Sequence, residues 1–260
     1  MPIKYVPFIP EPVEGQAILG NFNRILRYKG ADEVSMTLQR GMPLYEMEKQ
    51  ETVGENANGN MVIRGECASA CAYLKEQGIT EITLLGQNVN SYGKGTDCDF
   101  ADLVAELDAI EGDFWLSFMT SHPKDASRKL IDVMAQGKHI ARRFHLPMQS
   151  GNDRVLKAMN RHYDMAKYLD TVTYMREKMP DVVITSDIIV GFPGETEAEF
   201  EDTLKALETV RFDMLYSFIY SPRKGTPAAE MEQIPDVVKG NRFDRLLALQ
   251  GEIAKAKNQP

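Results

Sequence analysis

From residue 62 onward the chain alternates short β-rich runs with segments of helical period, and this alternation confines it to an α/β fold built on parallel strands. Five runs suit strands: Ile79 to Leu85 ending at Gly86, Phe114 to Met119, Arg143 to Leu146, Val182 to Val190, and Asp213 to Tyr220. Cys67 to Glu76 has helical spacing, with apolar positions at 67, 70, 71 and 74 and a stop at Gly78. Further helices are predicted over 99–110, 124–136, 152–159, 165–178, 196–209 and 236–256. Parallel neighbours need crossover connections, which these helices supply. In such a sheet the carboxyl ends of the strands share one face, and sites are built there.

Polar residues cluster just after each predicted strand: Gln87, Asn88 and Asn90; Ser121 and His122; Gln149 and Ser150; Gly191 to Glu195; and Ser221-Pro222-Arg223. The string Asp187-Ile-Ile-Val-Gly-Phe-Pro-Gly-Glu195 leaves a strand, turns at Gly and Pro, and enters a helix. Its glycines let backbone approach a ligand, and Glu195 stands near a helix N-terminus. The same residues also make a tight turn with a capping acid. The amides of Gln87, Asn88 and Asn90 suit a zwitterionic or nucleoside ligand, or a loop rich in turn-forming Asn. His145-Leu-Pro-Met-Gln-Ser-Gly-Asn-Asp153 can hold ribose or carboxylate groups, or Asn152 and Asp153 only cap the next helix. His122 and His145 lack a paired ligand motif and read as ordinary polar residues, with proton transfer or metal binding as the alternative.

Residues 1–61 are different in character. Four prolines fall within the first twelve residues, Gly41 and Pro43 interrupt the one weak helical pattern, and 54–60 is a Gly/Asn-rich stretch. The pattern assigns 1–61 as irregular or disrupted, 62–256 as the core, and 257–260 as a tail. A net charge of −8 argues against a surface that grips phosphate backbones throughout, while leaving room for a local nucleic-acid site. No apolar run approaches the roughly 18–20 residues of a membrane span, so no membrane partner is expected. The three cysteines do not make a secreted disulfide framework, and a cytoplasmic location follows as the expectation.

P-loop, G-x-S-x-G, H-E-x-x-H and G-x-G-x-x-G motifs are absent. Cys67-Ala-Ser-Ala-Cys71 is the first half of a C-x-x-x-C-x-x-C iron–sulfur ligand set, but the third position is Leu74. Four-residue spacing inside a helical pattern puts both thiols on one face as small core residues. No metal site is therefore expected, and no catalytic residue is assigned.

Five segments together resemble one family: Leu84-Leu-Gly-Gln-Asn-Val-Asn-Ser-Tyr-Gly93, Thr120-Ser-His-Pro123, His145 to Arg161, Thr185 to Glu195, and Tyr220 to Ala229. In continuous order over about 62–256 they are similar to the radical S-adenosylmethionine tRNA methylthiotransferases of the MiaB type. Gln87-Asn-Val-Asn-Ser-Tyr92 favours the tRNA branch over the relative that modifies a ribosomal protein.

The resemblance implies a partial (βα)6 TIM-like barrel, with five βα units recognisable here and the first missing or disrupted. It implies S-adenosylmethionine held across the strand ends by a [4Fe–4S] cluster, a second cluster that supplies sulfur, and methylthiolation at C2 of N6-isopentenyladenosine beside the tRNA anticodon. Carried over, Gln87 and Asn88, with Asn90 close by, fall where the family meets the methionine amino group. Gln149 and Ser150 fall toward ribose and carboxylate. Asp187 lies on the strand leading to the Ile189–Glu195 stretch, with Gly191, beside the adenine, and Arg223 faces the pocket.

The departures set the remaining expectations. The family's cluster loop should precede residue 62, yet residues 1–61 contain no cysteine. The family's N-terminal domain and RNA-binding β-barrel are expected to be missing as well. Pro43 to Lys49 can be encoded CCC CTA TAC GAG ATG GAA AAG, and a one-base shift reads Pro-Tyr-Thr-Arg-Trp-Lys, whose first four residues are a string the family commonly has just after its cluster cysteines. Residues 21–60 then read as partly out-of-frame sequence, against deletion and drift. The expectation is a methylthiotransferase core without its cluster ligands. Its rivals are a non-catalytic remnant binding S-adenosylmethionine or tRNA, and a radical-independent enzyme using His122 or His145.

Overall fold

The computed structural model describes residues 16–20, 25–28, 34–37, 51–55, 61–64, 80–85, 88–93, 98–119 and 121–257. The chain divides into two units, one running to Thr120 with Gln136–Ala141 added, the other comprising Ser121–Ala135 and Arg142 onward.

In the first unit, β1 (Gln16–Gly20), β6 (Glu81–Leu85) and β7 (Trp115–Phe118) run parallel, with β2 (Ile25–Tyr28) and β3 (Val34–Thr37) added antiparallel outside β1. A separate antiparallel pair joins β4 (Glu51–Glu55) to β5 (Met61–Arg64), with a bulge between Thr52 and Gly54. Helix α1 (Phe100–Asp108) crosses from β6 to β7. Asp99 and Asp102 start it by a reciprocal capping box, and Phe100, Leu103, Val104 and Leu107 form its buried stripe. On β6 and β7, Ile82, Leu84, Leu116 and Phe118 are buried, and Phe118 meets Phe100 edge-on at 5.2 Å. Each fully buried Leu, Ile or Phe contributes about 1.5–3 kcal/mol. The Asp108 carboxylate accepts the backbone N–H groups of Lys138 and His139, tying the helix end to the following segment.

The second unit is a parallel sheet ordered β10–β9–β8: Met214–Ile219, Val183–Val190 and Arg143–His145. Helices α3 (Asp153–Ala158) and α4 (Met165–Lys178) cross from β8 to β9, and α5 (Glu197–Val210) crosses from β9 to β10. Helix α6 (Asp236–Lys257) then packs on α5, β9 and β10. β9 is central, and Ile184, Ser186, Ile188 and Val190 form its fully buried face. Beneath it Tyr168 donates its hydroxyl proton to the Leu146 carbonyl at 2.7 Å, and Ser186 donates to the same oxygen at 2.9 Å. The buried hydroxyls of Tyr168 and Ser186 are thus paired.

The predicted strands and helices after Thr80 are present, most with ends within two residues. One helix differs. The segment predicted over 124–136 opens as a 3-10 turn at Pro123–Asp125, breaks at Ala126, and becomes helix α2 only at Arg128–Gln136. The Ser127 hydroxyl accepts the Leu130 N–H and starts this second piece. The predicted helix at 67–76 lies outside the described residues. Within 1–61, the stretch expected to be irregular, the described residues are those of β1–β4 and the first residue of β5, and β1 runs parallel beside β6 in the register Gln16↔Glu81 to Gly20↔Leu85. Each unit holds an open sheet built of βα units, and among the described residues the ladders form separate sheets and no closed ring.

Candidate functional site

Three chain segments converge in the second unit because β8 and β9 are adjacent and parallel. Gln149, just past β8, bridges to β9: its N–H donates to the Asp187 carbonyl at 2.8 Å and its own carbonyl accepts the Ile189 N–H at 2.9 Å. It is buried and holds φ at 67°, a left-handed backbone that costs a side-chain-bearing residue about 1–2 kcal/mol. Such strain persists where the surroundings fix it, and it gathers at binding sites.

Asp187, in the middle of β9, faces away from the helix-packed side. Its Oδ1 lies 3.6 Å from His145 Nε2, and His145 Nδ1 shares a hydrogen bond with Thr185 Oγ1 at 2.9 Å. The Tyr216 ring, directly across the register from Asp187, stands edge-on to the imidazole at 6.0 Å. A half-exposed carboxylate, an imidazole and a phenol therefore share one sheet face, offering acceptors and donors to ligand hydroxyls and amines.

The turn after β9 is held from beneath. Gly191 takes φ 76°, and a Cβ there would sit 2.4 Å from Lys239 Cγ, so only glycine fits. Its N–H donates to Glu195 Oε2 at 2.9 Å, and the same oxygen accepts from Arg242 Nη1 at 3.0 Å. Burial raises the Glu195 carboxyl above its ordinary value, partly offset by the Gly191 N–H and Arg242. Thr196 and Glu199 then start α5 with a capping box.

The structure thus brings together Gln149, Asp187, Gly191 and Glu195 along β9 and its neighbours. Ser150 is fully buried and turned inward, with its oxygen 3.5 Å from Thr203 Oγ1 and accepting the Asn152 N–H at 3.3 Å. Arg223 is exposed in the loop after β10, where its carbonyl accepts from the Thr226 hydroxyl at 2.8 Å. In the first unit, Asn88 immediately precedes, and Asn90 lies within, the 3-10 turn Val89–Ser91 after β6; Asn88 donates from Nδ2 to Ser91 Oγ at 2.5 Å, and Asn90 is buried. Gln87 lies outside the described residues, as do Cys67 and Cys71.

His122 behaves as a structural cap. Its Nδ1 accepts the Lys124 N–H at 3.2 Å, and burial, followed by Lys124 and Arg161, lowers its pKa to about 4. The sequence pattern did not single out Lys239, Arg242 or Arg154. The first two sit three residues apart on one face of α6, a spacing legible only once the turn they meet is known.

The amide, carboxylate and imidazole groups of this face offer partners of the kind that the hydroxyl and amino groups of S-adenosylmethionine require. The cysteines do not suit a thiolate-held cluster. Two are spaced C-x-x-x-C with Leu74 at the third position, and Cys98 is buried in the first unit beside the Asp99 carbonyl. Among the described residues no three His, Cys, Asp or Glu side chains are grouped to hold a metal ion. Among them also, no helix is long and apolar enough to cross a membrane.

Comparison with known proteins gives a consistent assignment. Residues 57–207 match the Radical SAM superfamily. The tRNA-2-methylthio-N(6)-dimethylallyladenosine synthase of Caldicellulosiruptor saccharolyticus is 53% identical over 189 residues, 72% of this chain and 40% of that protein. The synthase of the same name from Acetivibrio thermocellus is 53% identical over 188 residues, 71% of this chain and 39% of that protein. The chain therefore spans about two fifths of the length of these curated relatives. Coproporphyrinogen III oxidase from Escherichia coli, a radical SAM enzyme, shares the fold with a TM-score of 0.55 at 17% identity, over 72% of this chain and 45% of that one. With the family match covering more than half its residues and the open βα sheets to go with it, the chain belongs to the radical SAM superfamily.

Proposed function

We propose that this chain is the S-adenosylmethionine-binding core of a tRNA methylthiotransferase, with the binding face kept and the cluster ligands lost. The observation that carries this reading is the contrast between 53% identity over 189 residues and Leu74 at the third thiolate position. The ancestral reaction adds a methylthio group to C2 of N6-isopentenyladenosine beside the tRNA anticodon. Bound S-adenosylmethionine would supply an electrophilic sulfonium; its reductive cleavage needs an electron from a cluster that these cysteines do not hold.

In this reading Gln149 presents the ribose side of the ligand from a fixed backbone. Asp187, oriented by His145, accepts from its hydroxyl or amino groups. The Ile189–Glu195 stretch borders the adenine, with Gly191 giving close backbone approach. Ser150 and Glu195 act from below by holding their turns. Asn88 and Asn90, with Gln87, are the family's counterparts for the methionine amino group, and Arg223 is the one for the shared pocket. The partner is a tRNA anticodon stem-loop in the cytoplasm, and a net charge of −8 predicts weak, salt-sensitive contact with it.

Isothermal titration with S-adenosylmethionine tests the reading. Binding at about 1 mM or tighter is expected, weakened by Asp187→Ala. Saturating ligand without heat, and with no change on Asp187→Ala, would overturn it.

A further inference from the structure

We infer that Arg242 is the positioning residue of the Gly191–Glu195 turn, so that α6, beyond the residues matched to the superfamily, sets the shape in which this turn meets a ligand. The inference rests on the reading that the turn borders S-adenosylmethionine.

Arg242 is a charged residue only 4% exposed. Its guanidinium is hydrogen-bonded to the end of the β9–α5 connection and the first residue of α5: Nη1 to Glu195 Oε2 at 3.0 Å, Nη1 to the Glu195 carbonyl at 3.1 Å, and Nε to Glu197 Oε2 at 3.0 Å. Its guanidinium also lies 5.6 Å from the Phe200 ring centroid. Glu195 passes the constraint on, since the oxygen paired with Arg242 also accepts the Gly191 N–H. Both ends of a five-residue turn are thereby fixed to one guanidinium. One helical turn earlier, the Lys239 stem fills the space beside Gly191, and its Nζ reaches Asp236 at 2.7 Å.

A buried ion pair is a poor source of net stability, because desolvation offsets much of its attraction. Its better-attested use is to select one conformation, and the hydrogen bonds here converge on a backbone turn rather than on the core. Truncating Arg242 leaves the Glu195 carboxylate buried without its cation, which favours a turn that opens toward water.

Amide hydrogen exchange on the full chain reads this directly, comparing wild type with Arg242→Ala, Arg242→Lys and Glu195→Gln. Exchange at Gly191 should rise about tenfold or more in Arg242→Ala while the β9 amides of Ile184 and Ile188 stay protected. Arg242→Lys keeps the charge and should restore part of the protection. If Arg242→Ala does not fold, Glu195→Gln decides alone, since it keeps the side-chain volume and should still loosen Gly191. Unchanged exchange at Gly191, or a parallel loss along β9, overturns the inference. Titration of the same variants with S-adenosylmethionine separates the two ideas. A wild type that does not bind sinks the proposed function, while the exchange comparison still decides the role of Arg242.

Discussion

Arg154 on α3 takes both carboxylate oxygens of Glu199 on α5, and its Nη2 also donates to the Gly194 carbonyl at 2.7 Å. One exposed arginine thus links the connection after β8 to the connection after β9, the two segments that carry Gln149 and Gly191. Glu199 is at the same time the capping acid of α5, accepting the Thr196 N–H at 2.8 Å.

Removing that arginine should loosen the link without unfolding the sheet. The hydrogen bond from Arg154, then those from Thr196, hold the Glu199 carboxyl down at about 2. In Arg154→Ala the Glu199 titration should move up toward the ordinary carboxylate range, and urea denaturation should show a loss of about 1 kcal/mol. Carbon-13 detection of the side-chain carboxyl follows the first. A Glu199 titration that stays put would show that Thr196 alone sets it.

The acid limb of stability follows from the same group. Glu199 is depressed in the folded chain, so its contribution is complete above its ordinary value of 4.5 and fades as pH falls toward about 2. Urea midpoints collected against pH should fall through that window, and Glu199→Gln should flatten the fall. An unchanged profile in the variant would assign the acid limb to other carboxylates.

His122 acts in a higher window. Its folded value of about 4 lies below the ordinary 6.5, so between these values the unfolded chain takes up a proton that the folded chain refuses. Stability should therefore decline as pH drops from 6.5 toward 4. His122→Asn keeps an acceptor for the Lys124 N–H and should remove this slope while leaving the neutral-pH midpoint nearly unchanged. A slope that persists in the variant would point to another group.

Glycine substitutions separate packed from open positions. A Cβ at Gly151 would lie 2.5 Å from Thr203 Cα and 2.7 Å from the Asp202 carbonyl oxygen, both backbone atoms that cannot step aside. Gly151→Ala should cost about 1–3 kcal/mol or more. Gly240 lies within α6 with nothing inside 4 Å of its Cβ position, so Gly240→Ala should stabilise by roughly 0.5–1 kcal/mol through helix propensity. Thermal melts of the two variants should shift in opposite directions.

Much of the second unit was legible in the sequence because its periods are strong. Val183–Val190 is a β-branched run long enough to be central, and Met165–Lys178 opens at Asp164, whose side chain accepts the Lys167 N–H. The short strands before Arg64 were not legible, since runs of four or five residues among Gly, Pro and Asn carry too few alternations to show a period. At the site, the string from Asp187 to Glu195 announced a strand, a turn and a helix. It could not announce that Glu195 points down to Arg242, because that partner lies 47 residues away on an element whose sequence carries no motif. Ser150 shows the same limit: its hydroxyl is turned toward Thr203, a pairing set by how α5 packs on the β8–α3 connection.

Anaerobic iron–sulfur reconstitution, with iron and sulfide counted per chain beside the visible absorption, tests the central claim most directly. The account predicts a folded protein that takes up substoichiometric iron and shows no reducible cluster band, because Leu74 stands where a third thiolate is needed. A stoichiometric, reducible cluster, abolished by Cys67→Ala or Cys71→Ala, would contradict it and restore radical chemistry to this chain.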